Sequence, residues 1–169
     1  LNGPYDFVIG SIHSINLQDI TQDSFYGTMT KDEAHDKYFK VMLNCVKNID
    51  NFDVLGHLDY ARRYGPYEDK TIDYAKHQDI IDEVFKTLIA KGKGIEINTG
   101  SLYKGLSFPH PHTDILKMYK EAGGEIITVG SDAHYTQHIG YGFNVVKDIL
   151  LSHGFKYYCE FSKQKPEFI

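Results

Sequence analysis

Asp132 and His134 stand two residues apart, just after the apolar run Ile126-Ile127-Thr128-Val129 and the small pair Gly130-Ser131. A carboxylate and an imidazole at that spacing in an extended segment share one face, so both can point into one pocket. Together they can ligate a divalent cation or exchange a proton, which makes them the catalytic candidates. Three other apolar runs end in the same manner. Val8-Ile9 leads to Gly10-Ser11-Ile12-His13, Val54-Leu55 to Gly56-His57-Leu58-Asp59, and Ile95-Glu96-Ile97 to Asn98-Thr99-Gly100-Ser101. His13, His57, Asp132 and His134 are accordingly the metal-ligand candidates. A mixed histidine and carboxylate set suits zinc, iron or manganese and suits calcium poorly. Two or three such ions, ~3.5–4 Å apart, hold a hydroxide nucleophile and neutralise a phosphoryl group during in-line displacement.

An anionic substrate needs cations and hydrogen-bond donors as well. Arg62 and Arg63, five and six residues past His57, and Lys104, beyond the third apolar run, are the candidates for gripping phosphate. Asn98 is the candidate for a hydrogen bond in the pocket, in preference to Glu96, which alternation places on the same face of its strand or in the helix layer. The remaining histidines have simpler assignments. His35 and His77 are expected on solvated helix faces, His138 at the start of a helix, and His153 at a helix C-terminus, where its charge is welcome. His110 and His112 flank Pro111 in a loop that covers the site, as candidate substrate contacts.

The elements that must position these residues alternate. Tyr5–Ile12 reads as a strand and 16–29 as a loop. Thr30-Lys31-Asp32-Glu33 has the form of a capping box, opening a helix over about 31–49 whose apolar residues recur at helical spacing. Phe52–Gly56 is a second strand, and Thr71 opens a second helix with an apolar stripe through Ile80, Ile81, Val84, Phe85, Leu88 and Ile89. Gly94–Asn98 is a third strand, 114–122 a third helix, Glu125–Val129 a fourth strand, 138–152 a last helix and Tyr157–Phe161 a fifth strand. This order implies βα units and a parallel sheet, with binding groups gathered at the C-terminal strand ends. No strand is followed by GxGxxG, so a dinucleotide-binding sheet lacks its fingerprint.

Composition bounds the reading. The chain has 169 residues, 41% hydrophobic and 24% charged, enough for one domain spanning 1–169. A net charge of −5 argues against a nucleic-acid partner, and no apolar run suggests a membrane partner. Two isolated cysteines, Cys45 and Cys159, are expected as reduced thiols in a cytoplasmic protein. Nine histidines favour a metal or acid–base site.

The ordered motifs IGSIH, DVLGHLDYARRYG, EINTGS and EIITVGSDAH resemble the histidinol phosphatases of the polymerase-and-histidinol-phosphatase (PHP) superfamily. The resemblance runs from Asp6 to Tyr157. It implies a distorted (β/α)7 TIM-like barrel with up to three divalent metal ions, zinc, iron or manganese, hydrolysing L-histidinol phosphate in histidine biosynthesis. It further implies that His13 and His57 ligate one ion, Asp132 a second and His134 a third. The HxH strand and bridging glutamate that begin the family's pattern have no counterpart, so the α/β fold is expected to be an incomplete barrel lacking its first strands. Its open edges imply self-association. Where the family carries Gly-Leu-Arg-Lys, this chain has Ser101-Leu102-Tyr103-Lys104, so a tyrosine replaces a phosphate-gripping arginine. A PHP-type nuclease or phosphoesterase module and an inactive metal-binding fragment are the alternatives.

Overall fold

The computed structural model describes residues 3–169. Four strands, β1 (Ile9–Gly10), β4 (Val54–Leu55), β5 (Gly94–Asn98) and β6 (Ile127–Gly130), form one parallel sheet in the order β1-β4-β5-β6. Between β1 and β4 come a small antiparallel pair, β2 (Ser14–Ile15) and β3 (Gln18–Asp19), the short helix α1 (Asp23–Tyr26) and the long helix α2 (Lys31–Asn48). Helix α3 (Gln78–Ala90) links β4 to β5; the short α4 (Gly100–Tyr103) and α5 (Thr113–Glu121) link β5 to β6. Helix α6 (Phe143–Ser152) and an antiparallel hairpin of β7 (Cys159–Ser162) and β8 (Lys165–Phe168) follow. Every connection within the main sheet runs to a parallel neighbour, the arrangement of an incomplete αβ barrel.

Local sequence explains the elements that hold the site. Thr30 and Glu33 form the full capping box: the Glu33 N–H donates to Thr30 Oγ1 at 3.3 Å, and the Thr30 N–H donates to Glu33 Oε2 at 2.8 Å. Behind this cap, Tyr38, Phe39, Met42 and Val46 pack with Ile81, Val84, Phe85 and Leu88 of α3 in the core. All five residues of β5 are buried because it is a central strand covered by neighbours on both sides.

Five expectations need correction. Tyr157–Phe161 does not extend the parallel sheet; the strand is Cys159–Ser162, and it turns back on β8. The hairpin turn instead reaches the segment ahead of β1, where the Lys163 N–H donates to Asp6 Oδ1 at 2.9 Å and the Gln164 N–H to the Asp6 carbonyl at 2.8 Å. The helix expected from Thr71 begins at Gln78 after a 3-10 turn over Tyr74–His77, and that expected over 138–152 begins at Phe143. The loop over 16–29 contains β3 and α1. His35 and His77 are not solvated: they are 2% and 5% exposed, packed edge to face with ring centroids 6.3 Å apart. His35 adjoins Ala34 on the buried side of α2, and the turn before α3 lies across it.

Candidate metal centre

The parallel register places His13 and His57 beyond the ends of adjacent strands, since Gly10 pairs with Leu55 and the Gly56 N–H donates to the Gly10 carbonyl. Their Nε2 atoms lie 3.1 Å apart, and the Tyr60 ring packs against both imidazoles. His57 is buried with its Nδ1 unpartnered, whereas His13 is exposed. Burial first, and the neighbouring His13 second, lower the His57 pKa to about 4. The ring is therefore neutral at pH 7, with a nitrogen lone pair available to a cation. Two ring nitrogens turned toward one another are a donor pair that suits zinc.

The backbone carries strain at the same place. His57 has φ 27° and Asp132 has φ 49°, in the left-handed region that non-glycine residues rarely adopt. Strain of this kind costs about 1–3 kcal/mol and collects at functional sites, where the surroundings fix it. At His57 its N–H donates to Glu96 Oε2 at 3.1 Å. At Asp132 the carbonyl accepts from the Tyr103 hydroxyl at 2.7 Å.

Glu96 lies between the two. It is 3% exposed, and its Oε2 also accepts from Asn98 Nδ2 at 3.2 Å, while Asn98 Oδ1 accepts from the Gly100 N–H at 3.0 Å. A Cβ at Gly130 would overlap Glu96 Oε1, and one at Gly56 would come within 3.2 Å of Oε2, so glycines on both flanking strands make room for this carboxylate. Burial, with the nearby Asp132 adding to it, raises the Glu96 pKa.

The exposed Asp132 lies 3.6 Å through Oδ2 from Lys104 Nζ and 3.6 Å through Oδ1 from His134 Nε2. The His134 side chain is 69% exposed. Tyr103 stacks on His138 with centroids 4.0 Å apart. Thus Asn98, Lys104, Asp132 and His134 gather at the β5 and β6 ends, and His13 with His57 at the β1 and β4 ends. Among the described residues no three His, Cys, Asp or Glu side chains form a group able to hold one cation.

The arginines diverge from that pattern. Arg62 is buried, its guanidinium 3.9 Å from the Phe108 ring centroid with Nη1 unpartnered, so it is packed into the protein. Arg63 is half-buried and leans over Tyr64.

One residue of this region, Asp59, carries no signal strong enough to single it out by sequence. Asp59, fully buried, accepts from Tyr74 Oη at 2.8 Å and the His112 N–H at 2.9 Å, and lies 2.6 Å from His110 Nδ1. Burial pushes the Asp59 carboxyl up, but His110 and the other donors outweigh it and hold it below the usual range. His110 is thereby fixed as a buried ring with its Nε2 unpartnered. The Asp59 network ties the His57 turn to the segment before α5, and the residue was hidden because it reads as a plain turn aspartate.

Comparison with known proteins fits this geometry. The PHP domain family matches residues 1–100. A histidinol-phosphatase of Lactococcus lactis subsp. lactis (strain IL1403) is 34% identical over 97% of this chain and 61% of its own length. A protein named probable histidinol-phosphatase from Clostridium acetobutylicum is 40% identical over 82% of this chain and 54% of its own length. The crystal structure of the Lactococcus lactis histidinol phosphate phosphatase, complexed with zinc, L-histidinol and phosphate, superposes with TM-score 0.86 at 35% identity, covering 98% of this chain and 63% of that one. This chain thus spans about three fifths or less of the length of these relatives. With the family's match covering more than half of it, from β1 through β5, the chain belongs to the PHP domain family.

Proposed function

We propose that this chain carries part of the site of a metal-dependent phosphomonoester hydrolase that converts L-histidinol phosphate to L-histidinol and phosphate, a step of histidine biosynthesis in the cytoplasm. The observation that carries this reading is the approach of His13 Nε2 and His57 Nε2 to 3.1 Å beside a strained His57 backbone. Its support from relatives is the zinc, L-histidinol and phosphate of the Lactococcus lactis crystal structure. Zinc, iron or manganese suits the donor set. When bound, such cations supply an activated water and compensate charge on the phosphoryl oxygens.

This chain's own residues divide the remaining work. His13 and His57 would hold one cation through imidazole nitrogens; Asp132 and His134 would present a carboxylate and a second imidazole across β5. Lys104, beside Asp132, places positive charge where the phosphate's negative charge gathers. Asn98 sets the loop through Gly100 and keeps Glu96 in place. Arg62 acts through packing against Phe108, leaving Arg63 and Lys104 as the cations for the phosphate.

The test is release of inorganic phosphate from L-histidinol phosphate by the purified chain with zinc or manganese added, and again after chelation. Metal-dependent release supports the reading; release that survives chelation contradicts it. The second reading, a metal-binding fragment without turnover, is favoured by the lack of any three-ligand cluster among the described residues. One bound ion and no phosphate release would mark it.

A further inference from the structure

One short segment, α4 with the residue that follows it, holds Asp132 from several sides. At the start of α4, Gly100 lets the turn come close: a Cβ there would stand 3.0 Å from Asp132 Cβ and 3.1 Å from the Ser131 carbonyl oxygen. At its end, the Tyr103 hydroxyl donates to the Asp132 carbonyl at 2.7 Å, and Lys104 Nζ lies 3.6 Å from Asp132 Oδ2. The Tyr103 ring also stacks on His138, with centroids 4.0 Å apart and planes 12° from parallel, and Tyr141 meets it edge-on at 5.8 Å. We propose that Tyr103 is a positioning residue for Asp132: its hydroxyl fixes the strained Asp132 backbone so that the carboxylate keeps its place beside Lys104, while its ring ties the 135–141 segment to the same point. This rests on the reading that Asp132 serves the phosphate-releasing site.

Asp132 has φ 49°, a conformation that a non-glycine residue keeps only when its surroundings fix it. Its carboxylate has Lys104 and His134 as neighbours, each at 3.6 Å and so beyond hydrogen-bond length. Among the described residues, the partner of the Asp132 carbonyl is the Tyr103 hydroxyl. A bond of this kind at a half-buried ring adds little net stability, because water offers the carbonyl the same bond. It does select one orientation of the peptide plane, and the direction of the carboxylate follows from that. His138 and Tyr141 keep the phenol from swinging away. The segment that seats the ring is itself anchored, since Thr99 Oγ1 donates to the Tyr141 carbonyl at 2.5 Å and the Gly140 N–H donates to Ser131 Oγ at 3.2 Å.

The experiment compares the wild-type chain with Tyr103→Phe, which removes the hydroxyl and keeps the ring, and with Tyr103→Leu, which removes both. Asp132-Ala133 is the one Asp-Ala pair in the sequence, so 13C-carbonyl aspartate with 15N-alanine reports the accepting carbonyl alone. Phosphate release from L-histidinol phosphate is measured on the same samples, with circular dichroism to follow folding. In Tyr103→Phe the Asp132 carbonyl resonance is expected to move, and kcat to fall about tenfold with KM within about twofold, because Lys104 and Arg63 still meet the phosphate. Tyr103→Leu is expected to lose in addition the ring-current shift of the His138 protons. An unmoved Asp132 resonance in Tyr103→Phe overturns the proposal, as does a His138 shift that survives Tyr103→Leu. So does a moved resonance with unchanged kcat and KM, which would make Tyr103 a brace of the fold only, and so does a raised KM at unchanged kcat, which would make it a substrate contact. A wild-type chain that releases no phosphate removes the hydrolase reading instead; the resonances then decide the proposal by themselves.

Discussion

At the scale of single residues the site is a set of groups that would be poor choices for stability alone. His57 and Asp132 hold left-handed backbone without being glycine, the Glu96 carboxyl is buried, and His57 keeps an unpartnered ring nitrogen. Each costs free energy, and together they mark a place selected for chemistry. His13→Ala is predicted to lower Zn2+ affinity at least tenfold in calorimetric titration with little change in melting temperature, because His13 is exposed and contributes no core packing. His13, His57, Asp132 and His134 were legible because small residues followed by ligand-type side chains end four apolar runs. Glu96 was harder to see, for it lies inside a run, and whether a mid-strand carboxylate reaches the strand ends depends on which neighbours are glycine.

The elements that were legible are those with local signals. The capping box at Thr30 and Glu33 fixed the start of α2, and Ile95 and Ile97 between Gly94 and Asn98 marked β5. Thr30→Ala should cost about 1 kcal/mol and lower the melting temperature by about 2–4 °C, measured by thermal denaturation. What local pattern could not show was how α3 enters: its first turn is 3-10, and it brings His77 over His35. Burial holds the His35 pKa at about 4, below its unfolded value of about 6.5. The unfolded chain therefore binds more protons between these values, and stability is lost as pH falls from about 6.5 through 4. His35 alone accounts for a loss of about 3 kcal/mol by pH 4 relative to pH 7. Urea unfolding of the wild type and His35→Phe across this range checks it: the variant should show a shallower pH dependence, and parallel curves would refute the assignment.

At the scale of the whole molecule, the sheet of four parallel strands leaves β1 and β6 without partners on their outer sides among the described residues. The hairpin β7–β8 bridges part of the gap, holding Asp6 at its turn and placing the Phe7 and Phe161 rings 4.9 Å apart. A cavity of about 660 Å³ remains between β6, α6 and this hairpin, lined by Phe143, Val146, Leu150, Phe155 and Phe161. Open strand edges beside an apolar cavity favour association. Light scattering is predicted to show a mass above that of one chain that rises with concentration; a stable monomer throughout would contradict this. The parallel order was legible from alternating strands and helices, but the final strand was misplaced because Cys159–Ser162 has strand character whichever neighbour it pairs with. The most direct test of the metal centre is anomalous diffraction at the zinc edge from crystals of this chain grown with Zn2+. A zinc peak in contact with His13 Nε2 and His57 Nε2 is the result predicted. Zinc bound only elsewhere, with those two nitrogens left in contact with each other, would contradict it.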